Sequence, residues 1–162
     1  MKYIELTQNK KTIVDDENFD FLSQWKWFCH TDKHGNLYAQ RTQWIKGSKG
    51  KSNKIYMHRL IMEAPKNKEV DHIDGNGLNN VLSNLRLCYK KQNLFNSKPH
   101  KNSLSKFKGV TKFPNNKKWI AQICINHKTR NLGSYDNENQ AALAYNQAAK
   151  QFFGQFAYLN KI

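Results

Sequence analysis

The first 56 residues carry the apolar and polar pattern of short strands. In YIEL (residues 3–6) and KTIVDD (residues 11–16) the two kinds of residue alternate on either side of a QNKK turn, which predicts a β-hairpin. The acidic DENFDFLSQ segment that follows predicts one or two helical turns. WKWFCH and NLYAQRTQW predict two more strands, the first with Trp25 and Trp27 on a buried face. The GSKGKSNK run predicts an exposed loop.

A second complete pattern occupies residues 107–162. FKGVTKF, KWIAQICIN and TRNLGSY predict three strands joined by a PNNK turn and an NHK turn. In the middle strand, residues 119, 121, 123 and 125 share one face, and residues 120, 122 and 124 share the other. A helix is predicted to begin after the N-cap Asn137 and to end at Gly154. These elements predict a three-stranded antiparallel sheet packed on one helix, with the other sheet face open.

The segment between these two patterns predicts strand, loop, strand and helix. Residues 70–73 and 85–88 predict the strands, DGNGLNN predicts a loop with two glycines, and residues 89–97 predict a helix that brings Asn93 inward. KPHKNSLSK, at residues 98–106, has no apolar periodicity and predicts a basic linker.

Charge narrows the class of partner. The chain has 27 Lys and Arg against 12 Asp and Glu, a net charge of +15, and it contains no acid between Asp74 and Asp136. Such a field attracts polyanions through counterion release, and it favours nucleic acid as the partner. The three cysteines stand far apart and form no CxxC pair, which argues against a zinc ribbon and a disulfide framework. With no apolar leader or membrane-spanning run, the sequence predicts a cytoplasmic protein that does not bind membranes.

Three residues of the central segment can supply groups that phosphodiester hydrolysis needs. A neutral imidazole is a competent general base near pH 7, so His72 is the candidate base. Asp71, with a second oxygen ligand, can hold a magnesium ion. Asn84 can accept a hydrogen bond from the imidazole N–H and so fix its tautomer.

This pattern resembles the HNH endonucleases, or ββα-metal nucleases, in their phage- and intron-encoded branch. Asp71 and His72 are followed by eleven residues, Asn84, eight residues and Asn93, while NLR (84–86) and MHRLIMEAP (57–65) also resemble that branch. The resemblance implies that His72 is the general base, that Asp71 and Asn93 bind the metal, and that Asn84 braces the strands. Asn93 stands where the family's name has His. The implied cofactor is Mg²⁺ or another divalent cation such as Mn²⁺.

The last 56 residues resemble the plant Apetala-type, or ethylene-response-factor, DNA-binding domain. KGVTKF, KKWIAQI and NLGSYDNENQAALAYNQAAKQFFG carry this resemblance. It implies a sheet that enters the major groove of double-stranded DNA with the helix behind it. The implied DNA-facing residues are Thr111, Phe113, Gln122, Cys124, Thr129 and Asn131, with Lys118 on the rim. Several of these are arginine in the plant domain, so the target sequence does not carry over.

We therefore predict an α+β protein with two domains. A ββα-metal nuclease domain covers residues 1–97, with N-terminal strands at 1–56 and the core at 57–97; the linker is 98–106 and the DNA-binding domain is 107–162. The predicted function is a phage homing-type, metal-dependent DNA endonuclease, acting as a monomer without an obligate protein partner. The first alternative is a DNA-binding protein or transcription factor with a vestigial nuclease core. The second, an RNA-binding protein, explains the charge but not the spacing of the site residues.

Overall fold

The structure is a computed structural model that describes residues 1–48, 50–99, 103–113 and 117–162. Within these residues the protein is mixed α+β, with several small antiparallel sheets and few helices. The predicted PNNK turn and the middle of the predicted linker, at 114–116 and 100–102, lie outside the described residues. The chain divides into two compact units, Met1–Asn93 and Leu94–Ile162. In the described ranges, no helix has the length and apolar character that crossing a membrane requires.

The first unit is built from hairpins and short helices. Its strands are β1 (Lys2–Glu5), β2 (Lys11–Val14), β3 (Phe28–Thr31), β4 (Leu37–Trp44), β5 (Ser52–Tyr56), β6 (Glu69–His72) and β7 (Leu85–Cys88). Its helices are α1 (Asp16–Ser23), α2 (Met57–Ile61) and the start of α3 (Lys90–Phe95). β1 pairs with β2, β6 pairs with β7, and β3, β4 and β5 form a sheet in that order, all antiparallel.

Two details of this unit differ from the sequence prediction. The two tryptophans precede β3, and the buried Trp27 donates its indole N–H to Leu22 O (2.8 Å), a carbonyl at the end of α1. Because its indole bonds the last turn of α1, Trp27 is not part of the face of a strand. In addition, the last part of the predicted GSKGKSNK loop is β5, which pairs with β4 from Trp44↔Ser52 to Gln40↔Tyr56. Its polar residues gave no alternating pattern because most of them are exposed.

The β1–β2 hairpin is joined to the loop between β6 and β7. Ile13 N donates to Leu78 O (3.0 Å) and Asn80 N donates to Ile13 O (2.9 Å), so β2 and this loop share a short parallel bridge. Asp15 Oδ2 accepts from Leu82 N at 2.7 Å. These bonds fix the conformation of the loop against a hairpin that lies far away in the sequence.

The second unit has the sheet and helix that its pattern predicts. β8 (Val110–Thr111), β9 (Trp119–Ile125) and β10 (Lys128–Tyr135) form an antiparallel sheet in the order β10-β9-β8. α4 spans Glu138–Phe153; Asn137 caps its start by accepting from Gln140 N (2.8 Å), and Gly154 follows its end with φ +53°.

Small side chains allow α4 to pack closely on this sheet. Ala121 and Ile123 of β9 contact the buried residues of α4, which are Ala141, Ala142, Tyr145, Ala148, Ala149 and Phe153. Ser105, inside the predicted linker, is buried and donates to Glu138 Oε1 (2.6 Å). The end of the predicted linker is therefore part of the folded second unit, because the Ser105 hydroxyl bonds the first residue of α4.

Candidate active site

The β6–β7 hairpin places the candidate residues on its two faces. Because cross-strand partners share a face, the pairs Asp71↔Arg86 and Glu69↔Cys88 lie on one side. The pair His72↔Leu85 lies on the other side. Asp71 and His72 are both buried, with 6% and 5% of their surface exposed. Adjacent positions on one strand therefore direct the carboxylate and the imidazole into different surroundings.

Asn80 contacts the imidazole of His72. Its Oδ1 lies 3.1 Å from His72 Nε2, and its Nδ2 donates to Thr12 Oγ1 at 2.8 Å. Burial lowers the pKa of His72, and this effect outweighs the opposing effects of the Asn80 hydrogen bond and the charges of Asp74 and Asp71. The imidazole is thus neutral near pH 7, the state that a general base requires.

Asn84 does not fill the predicted role at the imidazole. Its Nδ2 donates to Asp74 Oδ1 (3.0 Å) and to Asn79 O (2.9 Å), while its Oδ1 accepts from Asp74 N (3.0 Å). Both ends of the amide are therefore used within the loop. Its backbone carbonyl accepts from Ile73 N (2.9 Å), a bond that joins the two ends of the loop. Asn84 fixes the shape of the loop that carries Asn80.

The carboxylate of Asp74 organises the same loop. It accepts from Asn76 N and Asn79 Nδ2, both at 2.8 Å, in addition to Asn84 Nδ2. Burial alone would raise the pKa of Asp74, but these hydrogen bonds outweigh it and the pKa is lowered. Asp74 is therefore ionised at neutral pH.

Aromatic and imidazole rings surround His72 on its other sides. The His58 ring is 5.0 Å from the His72 ring, nearly perpendicular to it, and the Tyr38 ring is 6.1 Å away. His58 Nδ1 is buried and has no hydrogen-bond partner among the described residues. Burial lowers the pKa of His58 to about 3, with smaller contributions from His72 and Arg59. His58 is consequently a neutral member of the ring cluster.

The candidate metal ligands lie on the opposite face of the hairpin. Asn93, in α3, donates from Nδ2 to Glu69 Oε2 (2.6 Å), and Arg86 Nε donates to Asp71 Oδ2 (2.8 Å). Since the Asn93 nitrogen is engaged, its amide oxygen is the atom suited to a cation. Carboxylate and amide oxygens of the kind that Asp71, Glu69 and Asn93 carry are the ligands that a hard divalent cation takes from a protein. In the described residues, no group of three or more His, Cys, Asp or Glu side chains is arranged to hold a metal ion.

Five of the DNA-facing candidates of the second unit share one side of its sheet. Gln122 pairs with Asn131, Cys124 pairs with Thr129, and Thr111 pairs with Ile120. This face is opposite to Ala121 and Ile123, which contact α4. Phe113, Lys118, Cys124, Thr129 and Asn131 are exposed, whereas Thr111 and Gln122 are half-buried. Asn131 Oδ1 accepts from Gly133 N (2.8 Å) at a β-bulge, so its side chain also shapes the strand.

Sequence reasoning missed four neighbours of the candidate site. Asn80 is fully buried and contacts His72, the fully buried Thr12 contacts Asn80, and Glu69 and Arg86 bond the candidate metal ligands. Glu69 and Arg86 could have been found, because the strand pattern places Glu69 on the face of Asp71 and Arg86 in the facing strand. For Thr12 no signal exists, since nothing in an alternating hairpin identifies the loop that it meets.

Comparison with known proteins identifies the class of enzyme. A family model described as HNH endonuclease matches residues 56–94. Over 156 residues the chain is 37% identical to "Uncharacterized HNH endonuclease L560" of Acanthamoeba polyphaga mimivirus, covering 93% of this chain and 74% of that protein. It is also 37% identical over 105 residues to "Protein 3.8" of Escherichia phage T7, covering 62% of this chain and 86% of that protein. These matches define an endonuclease. The chain belongs to the HNH endonuclease family, and the protein is a DNA nuclease.

The buried neutral His58 predicts a loss of stability in mild acid. Its folded pKa of about 3 lies below its unfolded value of about 6.5, so the unfolded chain binds the proton first as pH falls. The contribution is complete above about pH 6.5 and decreases from there towards pH 3. It amounts to about 3 kcal/mol between pH 7 and pH 4. Urea unfolding followed by tryptophan fluorescence at several pH values measures it.

His58→Phe keeps a ring in place but has no group to protonate, so its free energy of unfolding should depend less steeply on pH than that of the parent. The matched control is His34→Phe, because His34 is exposed. If His58→Phe and the parent show the same slope over this range, His58 is not buried in its neutral form.

Proposed function

We propose that this enzyme is a metal-dependent HNH endonuclease that uses His72 as its general base and its C-terminal unit to bind DNA. The observation that carries the proposal is the buried, neutral imidazole of His72, which Asn80 holds and which directly follows the carboxylate Asp71 in the chain. In this proposal β6, β7 and α3 are the ββα-metal core of the family.

The imidazole of His72 takes a proton from the water that attacks the phosphodiester phosphorus. Its lowered pKa keeps it unprotonated at pH 7, and its hydrogen bond to Asn80 fixes its orientation. A positioned base of this kind contributes about 10²- to 10⁴-fold to the rate. Asn84 acts on the reaction indirectly, through the loop that it closes with Asp74.

Asp71 and Asn93 would hold the divalent cation, which we propose to be Mg²⁺, with Mn²⁺ as a substitute. Bound there, the cation would neutralise charge that develops on the phosphate oxygens. Arg86 pairs with Asp71 in the structure, and the guanidinium is a cation that stabilises the buried carboxylate. Glu69 binds the Asn93 side chain through its nitrogen and so holds the amide oxygen in a defined orientation.

The C-terminal unit supplies the second part of the proposal, an ethylene-response-factor-like DNA-binding domain. A sheet can read bases from the major groove, and the outer face of β9 and β10 carries short polar side chains, including Gln122 and Thr129. Lys118 stands at the start of β9 with more than half of its side chain exposed. The positive net charge of the chain favours binding to the phosphate backbone of duplex DNA.

We further propose that the enzyme is of the phage homing type, acts as a monomer, and works in the cytoplasm of a bacterial host. The relative from Escherichia phage T7 supports this setting. A vestigial core in a transcription factor would not need His72, Asp71 and Asn93 together. RNA binding would account for the charge but not for this site.

Removal of the base should abolish cleavage while leaving DNA binding nearly unchanged. His72→Ala removes proton transfer but no phosphate contact, so plasmid nicking should fall by about 10²-fold or more. Affinity for the same DNA, measured in the absence of metal, should stay within a few fold. Nicking at the parent rate would exclude His72 as the base and would favour another group.

Loss of either metal ligand should raise the magnesium concentration needed for activity. Because a magnesium site uses one or two protein ligands, Asp71→Ala and Asn93→Ala should each shift the Mg²⁺ titration of nicking to higher concentration. Asn84→Ala is the comparison, and it should lower the rate with little change in that titration. Identical titrations for parent, Asp71→Ala and Asn93→Ala would rule out this metal site.

The C-terminal unit alone should bind duplex DNA without cutting it. The fragment should start at Leu94, because the Phe95 ring stacks on Phe153 with 4.0 Å between centroids. Its affinity should fall steeply as salt rises. A fragment that is folded by circular dichroism and shows no salt-sensitive binding to any duplex would contradict the domain assignment.

Two variants of the full chain separate base reading from phosphate binding. Gln122→Ala should weaken discrimination between DNA sequences more than overall affinity, since a side-chain amide can bind the edge of adenine. Lys118→Ala should reduce binding to all sequences alike. The opposite outcome would reverse the roles of these two residues.

A further inference from the structure

Thr12 is a buried hydroxyl in β2, outside the segment that matches the family model, and it is connected to His72 through Asn80. We propose that Thr12 and Asn80 are positioning residues that fix the tautomer of His72, with the proton on Nε2 and the lone pair on Nδ1. This inference rests on the proposed role of His72 as general base. It identifies the imidazole nitrogen that accepts the proton and the residues that determine which nitrogen this is.

The first step is the direction of the Thr12 hydroxyl. Thr12 Oγ1 lies 2.8 Å from Leu78 O, a separation at which two oxygens need a proton between them. A carbonyl has no proton, so the single hydroxyl proton of Thr12 must lie in this bond. The Met57 sulfur is 4.0 Å from the same oxygen and is a much weaker acceptor. Thr12 therefore donates to Leu78 and can only accept on its remaining side.

The second step is the orientation of the Asn80 amide. Its group next to Thr12, at 2.8 Å, must be a donor, and in the structure it is Nδ2. The carbonyl end, Oδ1, then faces His72 Nε2 at 3.1 Å. A flipped amide would put its oxygen against a hydroxyl oxygen with no proton to share. Asn80 is fully buried, so no bulk water is present to relieve that contact.

The third step is the imidazole itself. Asn80 Oδ1 has no proton, so Nε2 must donate in this hydrogen bond. A neutral imidazole has one N–H, which puts the lone pair on Nδ1. The nitrogen that accepts a proton from the attacking water is therefore Nδ1. The Tyr38 and His58 rings beside His72 restrict the ring from turning over.

The backbone holds both positioning residues in place. Asn80 N donates to Ile13 O and Ile13 N donates to Leu78 O, so the residue after Thr12 is bonded to the loop on either side of Asn79. Thr12 and Asn80 thus cannot separate without breaking the bridge between β2 and the loop. The tautomer of the base is set by a hairpin that contributes no side chain to the reacting atoms.

The test compares Thr12→Val, which keeps the shape but removes the hydroxyl, with Thr12→Ser, which restores it. The matched control is Thr7→Val, because Thr7 Oγ1 accepts from Cys29 N (3.1 Å) and is not part of the path to His72. Thermal unfolding of each variant establishes that it is folded. Kinetics of DNA nicking and long-range ¹H–¹⁵N correlation spectra of histidine-labelled, metal-free protein are then recorded, with His72→Gln identifying the His72 signals.

The parent should show His72 in the Nε2–H form, and Thr12→Val should show both tautomers. Its kcat should fall about tenfold with little change in KM, whereas Thr12→Ser should recover most of the rate and Thr7→Val should match the parent. A parent spectrum with the proton on Nδ1 overturns the proposal, and so does a folded Thr12→Val with the parent's tautomer and kcat. If Thr12→Val does not fold, the parent and Thr12→Ser spectra decide.

The spectra separate this proposal from the proposed function. Active His72→Ala would remove the role of His72 as base while leaving the tautomer measurement valid. If the parent shows both tautomers and His72→Ala is inactive, the positioning roles of Thr12 and Asn80 are rejected, while the role of His72 as general base is retained.

Discussion

The pairing of β2 with the loop between β6 and β7 is the constraint on which the geometry of the site depends. The loop contains Asn and Gly residues and has little apolar content to hold it in one conformation. Its shape comes from hydrogen bonds to Ile13 and Asp15, together with the internal bonds of Asp74 and Asn84. Asn80, which donates to Ile13 O, is fully buried, so an unmade bond there would leave a desolvated polar group, which is costly, whereas the bonds of Asp15, Asp74 and Asn84 are largely exposed. Hydrogen bonds therefore determine the conformation of this loop more than apolar contacts do.

The two faces of the β6–β7 hairpin differ in charge: one carries neutral imidazoles and the other carries carboxylates. On the His72 face, desolvation by neighbouring rings keeps the imidazoles neutral. On the Asp71 face, carboxylates of Asp71 and Glu69 form a local negative site in a chain whose net charge is +15. In the proposed mechanism, the basic chain attracts DNA and this face would hold the cation. Because adjacent residues of β6 point to opposite faces, the strand can place a neutral imidazole and a carboxylate in different surroundings.

Much of the fold follows from the sequence, and the limits have physical causes. The β1–β2 hairpin, the strands of the second sheet and the capped helix α4 were predictable, because alternation and capping are local signals. The bounds of β7 match the prediction residue by residue. By contrast, the sequence predicts Trp27 on a strand because aromatic residues favour strands, whereas Trp27 precedes β3 and its indole bonds a carbonyl at the end of α1, five residues back in the chain.

The candidate site residues stay predictions, and the sequence located their contacts just as unevenly. Asp71, His72, Asn84 and Asn93 follow from spacing, yet spacing assigned the imidazole contact to Asn84 when Asn80 makes it. One consequence concerns modularity. The segment recognised as the family's signature, residues 56–94, is not a self-sufficient cassette, since its central loop depends on strand β2 near the start of the chain. A chimera that receives only this segment would have the candidate site residues but would lack the β2 strand that fixes their loop. Exchange between relatives is therefore expected to succeed only when the N-terminal hairpin is exchanged together with the segment.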